Sequence, residues 1–174
     1  YLWTPERFEK SVIYTDEQGQ EHWFFDNMIM MELWDDDYEV TYSIANDGRY
    51  SSRKEHWQRQ LDYWFDQQYG FAALDQCIAR AAERIGNPPA KRGIIFSLPD
   101  PVYFEHYTDA MKGTNRNTVY WGDIDGVQMD FSKAEDRIKA YIWMIDAVRA
   151  RFDAAGYKYI ELIGFYILSE ELSA

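Results

Sequence analysis

The chain has 174 residues, 47% of them hydrophobic, and a formal net charge of −12. The acidic balance argues against nucleic-acid binding, which depends on clustered Lys and Arg. No apolar run approaches the roughly 20 residues of a membrane helix, and the single Cys77 excludes an internal disulfide or a multi-cysteine metal site. No charged-then-apolar leader opens the chain, so we expect that any targeting segment has been removed or was never part of this sequence.

The first predicted elements are a hairpin and a strand. Residues 11–15 and 21–25 flank a loop that contains Gly19, which predicts an amino-terminal β-hairpin. The run from Phe24 to Met31 is apolar on both faces and closes on Glu32. Two-sided apolarity is expected of a central strand in a parallel sheet.

The middle of the chain has helical spacing followed by a second strand. Apolar residues recur at intervals of three and four over residues 52–85, which predicts two helices or one kinked helix ending at Gly86. Residues 93–99 then form a short apolar run that closes on Asp100. A connection of about thirty residues follows, to Phe131; loops of that length are usually functional or disordered.

The last predicted elements are a helix and a third strand. Ser132 and Glu135 have the spacing of a capping box, which predicts the start of the helix. Gly156 predicts its end. An apolar stripe is expected along this helix, formed by Ile138, Ile142, Ile145, Val148 and Phe152. The run from Tyr159 to Leu168 predicts the third strand and closes on Glu170 and Glu171.

Alternating strands and helices predict right-handed βαβ units with a parallel sheet. Two architectures fit: part of a (β/α) TIM-like barrel, or a compact three-layer α/β domain. We expect residues 1–174 to form a single α/β domain, as a fragment of a longer barrel. In both architectures ligands bind at the carboxyl ends of the strands.

Carboxylates at the strand ends are the candidate catalytic residues: Glu32, Asp100 and Glu170. Glycoside hydrolysis needs two carboxyl groups, roughly 5 to 5.5 Å apart for retention or about 6.5 to 9.5 Å apart for inversion. The alternative is that these acids are solvated strand ends or caps of a following helix. The run Asp35–Asp37 is interpreted as a solvated loop.

Aromatic residues after the first two strands are the candidate ligand-binding residues: Trp34, Tyr103, Trp121 and, beside them, His106. Such rings suit the apolar faces of sugars as well as protein interfaces, and many rings serve only as core. Asp123 and Asp125 are weak candidates for calcium, with a plain turn as the favoured interpretation. No P-loop, dinucleotide fingerprint or serine elbow is present, so no cofactor is expected.

Several segments together resemble the bacterial family called domain of unknown function 4855. The resemblance lies in Trp3-Thr4-Pro5, residues 23–26, Ser97-Leu98-Pro99, residues 121–126, residues 130–140 and residues 161–166. It covers nearly the whole chain and corresponds to the amino-terminal part of that longer family. The resemblance implies a glycosidase-like barrel completed by the remainder of the protein, a carbohydrate ligand, and a secreted, periplasmic or cell-surface location. It carries over no catalytic residue.

Two hypotheses follow for function. The chain is a carbohydrate-active protein resembling a glycoside hydrolase, in which Glu32 or Glu170 is the general acid and a second carboxylate is the nucleophile or base. Alternatively, it is a non-catalytic glycan-binding or assembly module that uses the same aromatic loops. Convergence of the strand-end carboxylates in a concave pocket would favour the enzyme.

Overall fold

The structure is a computed structural model that describes residues 2–43, 50–101 and 120–168. In chain order its helices and strands are α1 (Pro5–Val12), β1 (Ile13–Thr15), β2 (Glu21–Trp23), β3 (Asn27–Met30), β4 (Trp34–Asp35), β5 (Val40–Thr41), β6 (Tyr50–Ser51), α2 (Lys54–Trp64), α3 (Gly70–Ile85), β7 (Arg92–Leu98), β8 (Tyr120–Ile124), β9 (Val127–Asp130), α4 (Ala134–Ala155) and β10 (Ile160–Ile167). None of the described helices combines the length and the hydropathy that a membrane crossing requires.

A parallel three-stranded sheet confirms the mixed α/β class. Its strand order is β10-β7-β3, and the β3 and β7 register runs from Asn27 opposite Gly93 to Met30 opposite Phe96. β7 is the middle strand, and nearly all of its residues are buried. These strands do not close into a barrel within the described ranges.

The expectation that the first strand is central was wrong for the described sheet. β3 is an edge strand, and Ile29 is 48% exposed. Phe24, Phe25 and Met31, which the sequence placed in the same buried run, are also exposed. An apolar run therefore did not distinguish a covered strand from a strand with an open face.

The described chain forms two compact units. Unit 1 comprises residues 2–30, 60–96 and 149–164, and unit 2 comprises residues 31–43, 50–59, 97–101, 120–148 and 165–168. The single-domain expectation stays a prediction.

Unit 1 contains the paired part of the parallel sheet and an aromatic core. Phe71 of α3 is completely buried, and its ring centroid lies 4.8 Å from Phe152 and 5.3 Å from Trp64. α3 ends as predicted at Gly86, whose backbone has φ of 84° and whose N–H donates to the Ala82 carbonyl. The predicted hairpin is present as β1 and β2, but the residues just before β1 belong to α1.

In unit 2 the predicted stripe and capping box of α4 were partly wrong. Ile138 and Ile142 are 58% and 52% exposed, whereas Val148 and Phe152 of the predicted stripe are buried, together with Ala140 and Met144. The helix start also differs: the Ser132 hydroxyl donates to Asp130 Oδ1 at 2.6 Å, and the carboxylate that accepts the Asp130 N–H is that of Asp136. Tertiary packing selected the neighbouring face of the helix.

A second correction concerns the long connection before α4. Its last part forms an antiparallel hairpin, β8 and β9, with Ile124 opposite Val127. Asp125 and Gly126 are the two turn residues and both have positive φ, 51° and 77°. This is the pattern of a type I′ turn, for which Asp-Gly is a preferred pair.

Candidate functional site

The backbone of Tyr42 joins the segments that follow two parallel strands. Its N–H donates to the carbonyl of Leu33, shortly after β3, at 2.9 Å. Its own carbonyl accepts the N–H of Asp100, shortly after β7, at 2.7 Å. Residue 42 therefore holds together the chain segments that carry two of the predicted acids, Glu32 and Asp100.

The side chain of Tyr42 is buried beside acidic groups. It is 1% exposed, and its hydroxyl donates to the His56 carbonyl at 3.2 Å. Burial raises the pKa of the Tyr42 phenol, and the negative charges of Glu32 and Asp35 raise it further. Both carboxylates are thus close enough for their charge to act on the phenol.

Asp100 is a buried carboxylate with a tyrosine partner. It is 3% exposed, and the Tyr141 hydroxyl donates to its Oδ1 across a long 3.5 Å contact. Burial raises the pKa of Tyr141, and the charge of Asp100 raises it further, so Tyr141 stays protonated and can act as the donor. A carboxylate removed from water needs such donors, because an unpaired buried charge is costly.

Asp35 and Arg59 extend this group. Arg59 Nη2 lies 3.5 Å from Asp35 Oδ2, and its guanidinium lies 3.5 Å from the centroid of the Tyr38 ring. The Asp35 side chain is only 13% exposed, and it also accepts the Asp37 N–H. The interpretation of residues 35–37 as a merely solvated loop was wrong for Asp35. Arg59 Nη1 is buried and has no hydrogen-bond acceptor among the described residues.

His56 is held as a neutral ring. Its Nδ1 accepts the Arg53 N–H at 2.9 Å, so the neutral tautomer carries its proton on Nε2. Burial lowers the pKa of His56 and outweighs the attraction of the nearby carboxylates. The imidazole is therefore neutral at pH 7 and presents an N–H donor.

We call this group the Tyr42 site; all its members lie in unit 2, and they are Glu32, Asp35, Tyr42, His56, Arg59, Asp100 and Tyr141. Sequence reasoning selected only Glu32 and Asp100. A usable signal existed for two others, because His56 and Arg59 are three residues apart on a predicted helix and so share a face. Nothing local marked Tyr42 or Tyr141.

The predicted aromatic residues have different environments. Trp34 is 44% exposed, whereas Trp121 is 2% exposed. The Trp121 ring packs in the core of unit 2 against Trp57, Phe131 and Trp143, with centroid distances of 5.0, 5.5 and 5.6 Å. The Tyr38 ring is 50% exposed and lies against Arg59 and His56 of the Tyr42 site. A sugar-stacking role for Trp121 stays a prediction.

Three other predicted site residues, Glu170, Tyr103 and His106, lie outside the described residues. Asp123 and Asp125 are exposed residues of the β8–β9 hairpin, Asp125 being in its turn. Within the described ranges no three His, Cys, Asp or Glu side chains are grouped so as to hold a metal ion.

The fold and site define an α/β protein with buried titratable groups on chain segments of unit 2 that follow two parallel strands in sequence. The chain belongs to the family described as Domain of unknown function (DUF4855), which it matches over residues 1–174. No curated protein and no solved structure matches the chain.

Proposed function

We propose that the chain is a carbohydrate-active protein resembling a glycoside hydrolase, with the Tyr42 site at its catalytic centre. The observation that carries the proposal is the backbone bridge of Tyr42 between Leu33 and Asp100, which gathers acids from two successive strand ends. Perturbed, partly buried titratable groups at such a position are typical of active sites. The proposed ligand is a glycan.

The proposed roles divide the carboxylates by environment. Glu32 is half-exposed and would act as general acid toward the glycosidic oxygen. Asp100 is buried and oriented by Tyr141, and would serve as the nucleophile or as the base that activates water. The neutral His56 and the cationic Arg59 would supply donors to sugar hydroxyls. Glu170 stays a candidate for either role.

A (β/α) TIM-like barrel is part of the proposal, and unit 1 supplies its support. A Cβ added to Gly93 would lie 2.2 Å from Asn27 Oδ1 and 2.5 Å from Ile163 Cδ1, so side chains of the two outer strands meet over the middle one. Layers built from alternate strands are the interior pattern of such barrels. Further strands would cover Ile29 and Ile163, which are about half exposed, because parallel sheets are normally covered on both faces.

The proposed partner for those strands is the remainder of the barrel. A secreted, periplasmic or cell-surface location is also proposed, and its support is the family resemblance alone.

Hydrolysis assays on a panel of polysaccharides test the proposed chemistry. Asp100→Asn and Glu32→Gln preserve shape, so each should lower the rate of reducing-end release about 10²- to 10⁴-fold while the variants still unfold cooperatively. Asp123→Asn, an exposed acid in the same unit, is the matched control and should keep full activity. Full activity in both site variants would remove these acids from the mechanism.

A non-catalytic glycan-binding or assembly module is the second candidate. Two exposed rings favour it: that of Tyr38, which lies against Arg59, and that of Trp34, whose backbone pairs with Thr41. Exposed rings can stack on sugars without any chemistry. This candidate predicts saturable binding of an oligosaccharide with no turnover, and weaker binding in Trp34→Ala. Measured turnover that depends on Asp100 would decide for the enzyme.

A further inference from the structure

A separate groove of unit 2 lies where the amino-terminal end of α2 meets β8. Its volume is about 360 Å³, and the residues that line it include Arg53, Lys54, Gln58, Tyr120 and Trp121. That volume falls within the range of small-ligand sites, roughly 300 to 1,000 Å³. We call it the Arg53 groove.

Two cations line this groove in a strongly acidic chain. Lys54 is fixed in place, because its Nζ donates to the Asp123 carbonyl and lies 5.1 Å from the Trp143 ring centroid. Gly122 of β8 allows this approach, since a Cβ there would lie 2.6 Å from the Lys54 Cβ. The packing thus holds a positive charge at the groove.

Arg53 supplies the second positive charge. It is half-buried, and within the described ranges its guanidinium forms no ion pair, although the chain has 30 acids for 18 Lys and Arg. The acid that lines the groove is Glu55, whose side chain is 73% exposed and lies 3.9 Å from His56 Nε2. An unpaired guanidinium is a bidentate site for a carboxylate.

The groove also offers aromatic rings. Trp121 lines it with a ring that is 2% exposed. The Tyr120 ring is half-exposed at the same groove.

The groove is linked to the Tyr42 site through His56. The Arg53 N–H donates to His56 Nδ1, and the His56 carbonyl accepts the Tyr42 hydroxyl.

We infer that the Arg53 groove binds the carboxylate of an acidic sugar residue, so that the glycan is one that contains uronic acids. This inference rests on the proposed carbohydrate function and specifies its ligand class. Arg53 and Lys54 would bind the carboxylate, and Tyr120 would cover an apolar face of the sugar ring.

Calorimetric binding to the full chain tests the inference. The probes are tetrasaccharides of galacturonate, alginate and hyaluronan, each paired with its carboxyl-reduced neutral counterpart. At least one acidic probe should bind about tenfold or more tightly than its neutral counterpart, the factor expected of a charged hydrogen-bonded contact. Arg53→Gln should abolish that preference, and Arg80→Gln, a surface control in unit 1, should retain it.

The outcomes separate this inference from the proposed function. Equal binding of acidic and neutral tetrasaccharides, or a preference that survives Arg53→Gln, would overturn the groove assignment and leave a carbohydrate ligand in place. Equal binding of tetraglutamate would show that the groove recognises charge and not sugar, which also overturns it. Failure of every acidic and neutral glycan to bind would contradict both proposals.

Discussion

The two units differ in what they bury. Among the described residues of unit 1, the buried polar or charged side chains are Gln60 and Arg92. Unit 2 buries a larger set: Thr41, Ser43, Ser51, Ser52, His56, Ser97, Asp100 and Asp136. Unit 1 instead keeps many of its charges at the surface, where Arg84 pairs with Glu9 and Glu21 at 2.9 Å each.

This difference concerns the cost of folding each unit. Burying a polar group costs free energy unless it is well paired, so apolar packing alone would be the simpler way to stabilise unit 2. Asp136 has a structural explanation, since it accepts from Lys139 and from the Asp130 N–H. The group around Tyr42 buries titratable side chains, His56 and Asp100 among them, and such groups are common at functional sites. The following substitutions test this contrast, from the largest expected effect to the smallest.

Truncating the aromatic core of unit 1 should have the largest effect on stability. Phe71 is completely buried against Trp64 and Phe152. Phe71→Ala should therefore lower the free energy of unfolding by about 3 to 5 kcal/mol, measured by urea denaturation. Ala72→Ser, at the next position of α3, is the matched control. A loss below about 1 kcal/mol would contradict the packing described for unit 1.

Filling the space above the middle strand should have the second largest effect. In Gly93→Ala the new Cβ would collide with Asn27 Oδ1 and Ile163 Cδ1, so stability should fall by about 1 to 3 kcal/mol. Adding Ile163→Val removes one colliding atom and should recover part of the loss. Additive effects in the double variant would show that the outer strands do not meet over Gly93.

Removing one hydroxyl from the Tyr42 site should affect stability less. Tyr42→Phe deletes the hydrogen bond to the His56 carbonyl and should cost about 1 kcal/mol. If the glycan binds at the Tyr42 site, Tyr42→Phe should also lower the rate of hydrolysis or the affinity for the glycan. Per folded molecule, that loss should be larger than the loss caused by Phe71→Ala. Unchanged function with lost stability would make Tyr42 purely structural.

The pH dependence of stability gives the smallest effect. Burial lowers the pKa of His56 in the folded chain, so below its ordinary pKa of about 6.5 the unfolded chain takes up the proton more readily. The His56 contribution is therefore present above pH 6.5 and is lost as the pH falls toward the lowered value. The stability difference between wild type and His56→Gln should shrink from pH 7 to pH 5.

A constant or widening difference would contradict a neutral, buried His56. Carboxylates with a lowered pKa, such as that of Asp136, do not affect this measurement. Each one loses its contribution to stability only as the pH falls through its lowered pKa, which lies below the range from pH 7 to pH 5.

The elements with strong local patterns were predictable from the sequence. β7, β10, α2 and α3 follow from apolar periodicity and from the stop at Gly86. The edge position of β3 was not predictable, because strand order is a tertiary property. The face that α4 buries was predicted only in part for the same reason, since Val148 and Phe152 are buried but Ile138 and Ile142 are exposed.

The site was only partly predictable. Glu32 and Asp100 follow from the rule that strand ends share one edge of a sheet. Tyr42 joins their segments through backbone hydrogen bonds, which leave no mark on the sequence. Asp35 was misassigned because a run of three acids resembles a solvated loop, whereas its pairing with Arg59 depends on folding.

The most direct test of a glycan site at Tyr42 is to find which segments of the chain a bound oligosaccharide protects. Hydrogen exchange of the full chain would be followed by mass spectrometry, with and without the oligosaccharide that binds best on a glycan array. We predict protection in residues 31–43 and 97–101 of unit 2 and no change in residues 5–23 of unit 1. Protection confined to unit 1, or none in the two unit 2 segments, would contradict a glycan site at Tyr42.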